Sequence, residues 1–235
     1  MKTLLSILLF ISVLSTNLFA HPVDIKENRQ LSGLWEYKSI SHKGGKVTPN
    51  QGYFLFHNGK FIQHTIDTSV SHMEKVGQAH VGTYSIENGI YYFDVELGVI
   101  VYPDQEQKTK VRRKGRNHAS ILLDNNSLKL SFDENSVQLL EKIGDGKVEI
   151  HAYENGYLAF SEDRFILIYL NGDSYVSASG LFTKLEDALE LHAEFMITVM
   201  DNQVTYSDNV DLQLGSDKEQ LFLPEGRILK LKSIR

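Results

Sequence analysis

Apolar and polar residues alternate through most of this chain, and short clusters of Gly, Asn and Asp interrupt them about every ten residues. Alternation with period two sends successive side chains to opposite faces of a strand. Asn58-Gly59, between Phe56 and Phe61, has the tolerance for positive φ that a two-residue type I′ hairpin needs. Tyr84 and Ile86 lead through Glu87-Asn88-Gly89 into a strand from Ile90 to Leu97, and Gly98 to Pro103 reads as a further apolar stretch. Ile121-Leu122-Leu123 turns at Asp124-Asn125-Asn126 into Leu128 to Phe132, and Val137 to Ile143 follows as another strand. Many short strands joined by such turns predict an all-β barrel or sandwich. One segment departs from this. Leu185, Ala188, Leu189 and His192 recur at helical spacing, which predicts a short helix over Leu185 to Leu191 before a strand from Phe195 to Met200.

The pattern occurs twice. Gly52-Tyr53-Phe54-Leu55-Phe56, a turn and Lys60-Phe61-Ile62 match Gly156-Tyr157-Leu158-Ala159-Phe160, a turn and Arg164-Phe165-Ile166 at the same spacing. Further on, Gly82-Thr83-Tyr84-Ser85 has a counterpart in Gly180-Leu181-Phe182-Thr183, and Leu128-Lys129-Leu130 in Leu212-Gln213-Leu214. Two related halves that pack together are expected, one over 21–143 and a more degenerate one over 144–235, with Gly144-Asp145-Gly146 as the joint.

Composition narrows the setting. Residues 1–20 have the form of a cleavable export segment. Lys2 precedes the apolar run from Leu4 to Leu14, and Leu18-Phe19-Ala20 ends it, which predicts cleavage after Ala20 and a periplasmic or secreted protein. The run is shorter than the ~20 apolar residues a membrane span needs, and no later stretch supplies a transmembrane segment. The chain has no cysteine, which excludes disulfides, thiolate metal sites and cysteine nucleophiles. The net charge of −6 disfavours broad binding to nucleic acid. Lys108, Lys110, Arg112, Arg113, Lys114 and Arg116 form a local basic run, read as a hairpin whose cations guard a sheet edge.

Near the expected mature start stands Leu31-Ser32-Gly33-Leu34-Trp35. Gly-x-Trp, then Gly-Tyr-x-x-Phe, an Asn-Gly turn, Lys-Phe-Ile, Gly82-Thr83-Tyr84, Leu128-Lys129-Leu130 and Leu139 to Ile143, in that order, resembles lipocalin-like domain proteins of the calycin group. The resemblance covers residues 31–143 well and 148–235 more weakly. It implies an up-and-down antiparallel barrel open to a small apolar or amphipathic ligand, with Trp35 at the closed end beneath Lys142. No cofactor is implied. Binding or carriage of such a molecule is the expected function. A barrel-pocket enzyme of isomerase or cyclase type and an interaction protein with filled barrels are the alternatives.

Candidate ligand contacts are Tyr53, Phe54, Phe56, Phe61, Tyr84, Tyr92 and Glu96. Phe54/Phe56/Tyr84/Tyr92 and Tyr53/Leu55/Phe61/Phe93 are rival inward-facing sets, and a filled core stands beside an open pocket as an alternative. Glu96 and Glu194 occupy equivalent places, each fourteen residues after a repeated glycine. His64, His72 and His80 are even-spaced weak candidates for a metal site, against the plainer reading of loop and strand histidines without a role. Neither a Gly-x-Ser-x-Gly elbow nor a phosphate-binding glycine loop is present, and no catalytic residue is assigned.

Overall fold

The computed structural model describes residues 30–234 except 43–44, 70–75, 133–135, 187 and 225. The expected export segment and His72 lie outside the described residues. The chain is all-β, in two antiparallel sheets. The first contains β1 (Gly33–His42), β2 (Val47–His57), β3 (Lys60–Asp67), β4 (Gly77–Glu87), β5 (Ile90–Val101), β6 (Thr109–Arg112), β7 (Gly115–Asp124), β8 (Ser127–Phe132) and β9 (Ser136–Gly144). Consecutive strands pair, except that β6 and β7 both pair with β5; β9 returns to pair with β1, and the sheet closes into a barrel. Strands β6 and β7 both lie along β5 in one register, so they act as a single barrel strand interrupted at Arg113-Lys114. The barrel therefore has eight staves in up-and-down order.

The second sheet runs β10 (Val148–Tyr153), β11 (Gly156–Ser161), β12 (Arg164–Asn171), β13 (Ser174–Lys184), β14 (Ala188–Met200), β15 (Gln203–Gly215), β16 (Gln220–Phe222) and β17 (Ile228–Lys230). It is an eight-stranded meander curled into a half-barrel. Its edges approach at one end, where Tyr153 bridges Ser233 and the Asn155 side chain bonds the backbone at Lys230 and Lys232. The short helix expected at Leu185 to Leu191 is absent. Leu189, Leu191 and Ala193 alternate inward on β14, and burial of that period-two face overrides the helical spacing.

Three apolar layers hold the molecule together. Trp35, Phe54, Phe56, Phe61, Tyr84 and Phe93 fill the barrel interior. Leu158, Phe160, Phe165, Leu167, Leu191 and Leu214 fill the concave side of the second sheet. Between them, the outer barrel face, including Tyr53, Leu55, Ile62, Val81 and Val99, packs on Ala159, Ile166, Ile168, Tyr175 and Ile197. The facing strands are apolar on both sides. That explains why they read as continuous hydrophobic runs where a half-exposed sheet would alternate.

The two halves share one structural device at their joint face. On β4–β5, Val81 pairs with Leu97 and Gly82 with Val95, leaving Glu96 as the extra residue of a β-bulge. On β13–β14, Ser179 pairs with Phe195 and Gly180 with Ala193, leaving Glu194 in the same place. The glycines are required by close approach. A Cβ on Gly82 would lie 2.0 Å from the Asp94 carbonyl, and one on Gly180 2.1 Å from the His192 carbonyl. The bulge flips side-chain parity within β5, so Val95 faces the barrel interior and Leu97 the second sheet. Ile90 to Val101 is thus one strand, where the sequence reading divides it at Gly98.

The bulge glutamates clasp the halves reciprocally. The Tyr53 hydroxyl donates to Glu194 Oε2, and the Tyr157 hydroxyl donates to Glu96 Oε2 at 3.2 Å. Tyr53 and Tyr157 are repeat equivalents, as are Glu96 and Glu194. Residue i of one half meeting j of the other, and the converse, is the signature of an isologous contact. The halves meet as the subunits of a two-fold dimer do, within one chain.

Candidate functional site

The barrel is closed at one end and hollow at the other. At the closed end Trp35 is fully buried and donates from Nε1 to the Leu31 carbonyl at 2.8 Å. Lys142 Nζ stands 5.6 Å from the Trp35 ring centroid and 3.2 Å from Asp145. Gly33 makes this arrangement possible. Its φ of +128° suits glycine, and a Cβ there would lie 2.5 Å from the Gly144 carbonyl oxygen and 2.9 Å from Lys142 Cε, in the stem that carries the ammonium to the indole.

The opposite end, where β1, β3, β5 and β8 finish and β2, β4, β6 and β9 begin, holds a cavity of about 430 Å³. Phe54, Phe61, Phe93 and Phe132 supply its aromatic wall. Phe61 and Phe93 meet edge-on at 5.4 Å, and Phe132 lies 5.5 Å from Phe93. Gln63, Gln78, His80, Asn117, Ser136 and Gln138 supply the polar side, and Arg116 and His118 also border the hollow.

These polar groups form a connected chain. The buried Tyr37 hydroxyl donates to Gln63 Oε1 at 2.6 Å, and the Gln138 amide lies 3.0 Å from the same hydroxyl. The atom of Gln138 that faces it is Oε1, and because a phenol has one proton, that proton serves Gln63 or Gln138 at any one time. Gln63 Nε2 donates to His80 Nδ1 at 2.5 Å, which leaves the ring proton of His80 on Nε2. Burial, with Arg112 adding to it, pushes the His80 pKa down to about 4, so the imidazole is neutral at physiological pH. Burial also holds the Tyr37 hydroxyl well above its usual range, so it stays a phenol. The cavity therefore sets an aromatic wall against a hydrogen-bonding one, with the ion-paired Arg116 at its border.

The sequence-derived candidates divide by strand parity. Phe54 and Phe61 line the cavity, and Phe56 and Tyr84 pack deeper in the same interior. Tyr53 faces the second half. Tyr92 points outward, with the Arg116 guanidinium 4.2 Å from its ring centroid and the His118 ring at 6.3 Å. Glu96 sits in the bulge, away from the cavity. Neither rival inward set is the observed one. The hairpin pairs Phe56 with Phe61 and the next pairs Tyr84 with Phe93, so Phe54, Phe56, Phe61, Tyr84 and Phe93 share one face.

His64 and His80 lie on opposite faces of the sheet. His80 lines the cavity, while His64 is fully buried between the halves, with Nδ1 2.9 Å from Ser179 Oγ. Burial lowers the His64 pKa to about 3. No group of three or more metal-ligating side chains converges among the described residues. The sequence reading did not single out Tyr37, Gln63, Asn117 or Gln138. Amides carry no motif, and their only signal is inward parity, as with Gln63 two residues after Phe61.

A second hollow of about 410 Å³ lies in the half-barrel beside Phe160 and Phe182. Its rim carries Lys147, Lys184 and Lys218 against Glu149, Glu162 and Glu186, which leaves no net charge to select a ligand. Comparison with family models, with curated proteins and with solved structures returned no match.

Proposed function

We propose that the protein is an exported, lipocalin-like binder of a small amphipathic molecule, which it holds in the open end of the first barrel. The observation that carries this reading is the pairing of four phenylalanines with a satisfied amide–phenol–imidazole chain around a hollow of about 430 Å³. Apolar burial against the rings, at about 25 cal/mol per Å², drives capture. The amides orient the ligand's polar atoms, as in small-molecule sites generally. The up-and-down barrel with a lysine over Trp35 is in keeping with the lipocalin-like resemblance. The N-terminal export signal rests on sequence, and N-terminal sequencing of the natural protein tests it.

His80 in the cavity is the one observation that favours a catalytic reading. An imidazole with a pKa of about 4 is a weak base at neutral pH, and its Nδ1 is already engaged by Gln63. Binding is therefore the better account.

Native mass spectrometry of freshly purified protein, with extraction of any retained small molecule, tests the reading directly. Titration with phenylnaphthylamine gives a second measurement, with saturable fluorescence enhancement as the expected result. Ser136→Phe, at the cavity wall, should weaken the probe at least about tenfold, the scale of one lost cavity contact. Leu122→Ser, at an exposed outer position, should leave it unchanged. Equal binding by both variants would place the probe elsewhere and sink the proposal.

A further inference from the structure

The polar side of the cavity continues outward to a cation. Arg112, at the end of β6, donates from Nη1 to Asn117 Oδ1 at 3.2 Å, and Asn117 lines the cavity. Gly98 pairs with His80 on one side and Arg112 on the other, so both side chains project from the same face at one level. Two glycines seat them. A Cβ on Gly98 would lie 2.5 Å from the His80 ring, and one on Gly115 would lie 2.1–2.3 Å from the Arg112 guanidinium. Among the described residues Arg112 forms no ion pair, whereas Arg116, which borders the cavity directly, is already paired with Glu87 at 2.5 Å and Asp94 at 3.6 Å. No described side chain lining the cavity is a carboxylate. The strand at this rim also carries six Lys and Arg residues between Lys108 and Arg116, in a chain of net charge −6.

We infer that the cavity's ligand is anionic at its solvent end, with Arg112 as the specificity-determining residue that reads the charge. The inference rests on the binding function proposed above and names the ligand class for that site: an apolar, ring-sized body ending in a carboxylate, sulfonate or similar group. The apolar part occupies the phenylalanine wall, and the head emerges past Asn117 and His80 to the guanidinium. A planar guanidinium offers paired N–H donors that match the two oxygens of such a group. The flanking cations raise the local concentration of anions at the mouth.

The test compares two fluorescent probes with the same aromatic body, neutral phenylnaphthylamine and anionic anilinonaphthalene sulfonate, on the full-length mature protein. The sulfonate should bind about tenfold or more tightly than the neutral probe, as expected for one charge-assisted contact. Arg112→Gln should abolish that preference while leaving the neutral probe's affinity in place, and Arg112→Lys should keep part of it. Lys129→Gln, which removes the same charge from an exposed site on β8, should keep all of it. Equal affinity for both probes in the natural sequence overturns the inference and spares the cavity reading. A preference that survives Arg112→Gln overturns the role of Arg112. Failure of both probes to bind overturns the inference and the cavity reading together. Unchanged Trp35 emission in each variant confirms that the barrel is intact.

Discussion

Among single residues, Tyr53 and His64 show how much a buried polar group depends on its partners. Tyr53 is buried, donates to Glu194 and accepts from Arg164 Nη1 at 3.0 Å, while Arg164 also reaches Glu194 Oε1 at 2.8 Å. Tyr53→Phe strips the hydroxyl from between two charges and should cost about 1.5–3 kcal/mol. The equivalent Tyr157 bonds Glu96 at an exposed site, so Tyr157→Phe should stay within about 0.5 kcal/mol. Urea midpoints of the two variants check the contrast, and equal losses would contradict it. His64 makes a prediction about acid. An unfolded histidine takes up its proton near pH 6.5, whereas buried His64 does so only near pH 3. Between those values the unfolded chain binds more protons, so stability falls as pH falls, by at most about 1.4 kcal/mol per pH unit. His80 adds a loss of the same sign down to about pH 4. The repeat places Ile168 where His64 stands, and burial leaves His64 Nε2 without a partner. The double variant His64→Ile/Ser179→Ala should therefore fold and lose less stability between pH 7 and pH 5 than the natural sequence. An unchanged pH slope would remove His64 from the account.

At the level of strands and turns, the repeated bulges are the most demanding feature. Each needs a glycine against a backbone carbonyl, which cannot move aside as a flexible side chain can. Gly82→Ala and Gly180→Ala should each cost about 1–3 kcal/mol, toward the upper end of overpacking penalties. Ser85→Ala, two positions beyond the crowded stretch on β4, should stay within about 0.5 kcal/mol. Thermal melts of the three variants decide whether the bulges are crowded as described. The same elements mark what the sequence makes legible. Asn58-Gly59 predicts its hairpin because positive φ has a chemical signature, and both residues adopt it, at 49° and 74°. The duplication was visible for the same reason, as glycines recurring at fixed places among apolar strands. The inward face was not legible, because β3 and the second half of β2 are buried on both sides and the apolar pattern there no longer marks a face. The bulge at Glu96 then reverses parity midway along β5. The helix expected after Leu185 came from four residues at helical spacing, and a longer inward alternation through Ala193 overrode it. In the cavity, phenylalanines announced themselves while Gln63, Asn117 and Gln138 did not, since an amide gains meaning only from the register that brings it to its partner.

For the molecule as a whole, the apolar layer between the halves sets how it unfolds. Ile62, Val81 and Val99 from the barrel and Ile166, Ile168 and Ile197 from the second sheet are all buried, most of them completely. Separating the halves would return both faces to water at about 25 cal/mol per Å² and leave the Tyr53–Glu194–Arg164 cluster unpaired. The half-barrel has a further dependence, since among the described residues its edges meet only near Tyr153 and Ser233. A partly closed sheet that loses its neighbour exposes apolar surface on its convex side as well as at its open edges. Unfolding should therefore be a single transition in which both halves take part. Trp35 makes this measurable, because it is the sole tryptophan and lies in the first barrel, while far-ultraviolet circular dichroism reports both sheets. Leu191→Ala removes a fully buried side chain from the core of the second sheet and should destabilise the protein by about 2–5 kcal/mol. If the halves are energetically one body, the Trp35 transition moves to lower urea together with the dichroism signal, although the substitution lies in the other half. A Trp35 midpoint that stays in place while the dichroism curve splits in two would mean that the halves unfold independently, and that the isologous face between them contributes little to stability.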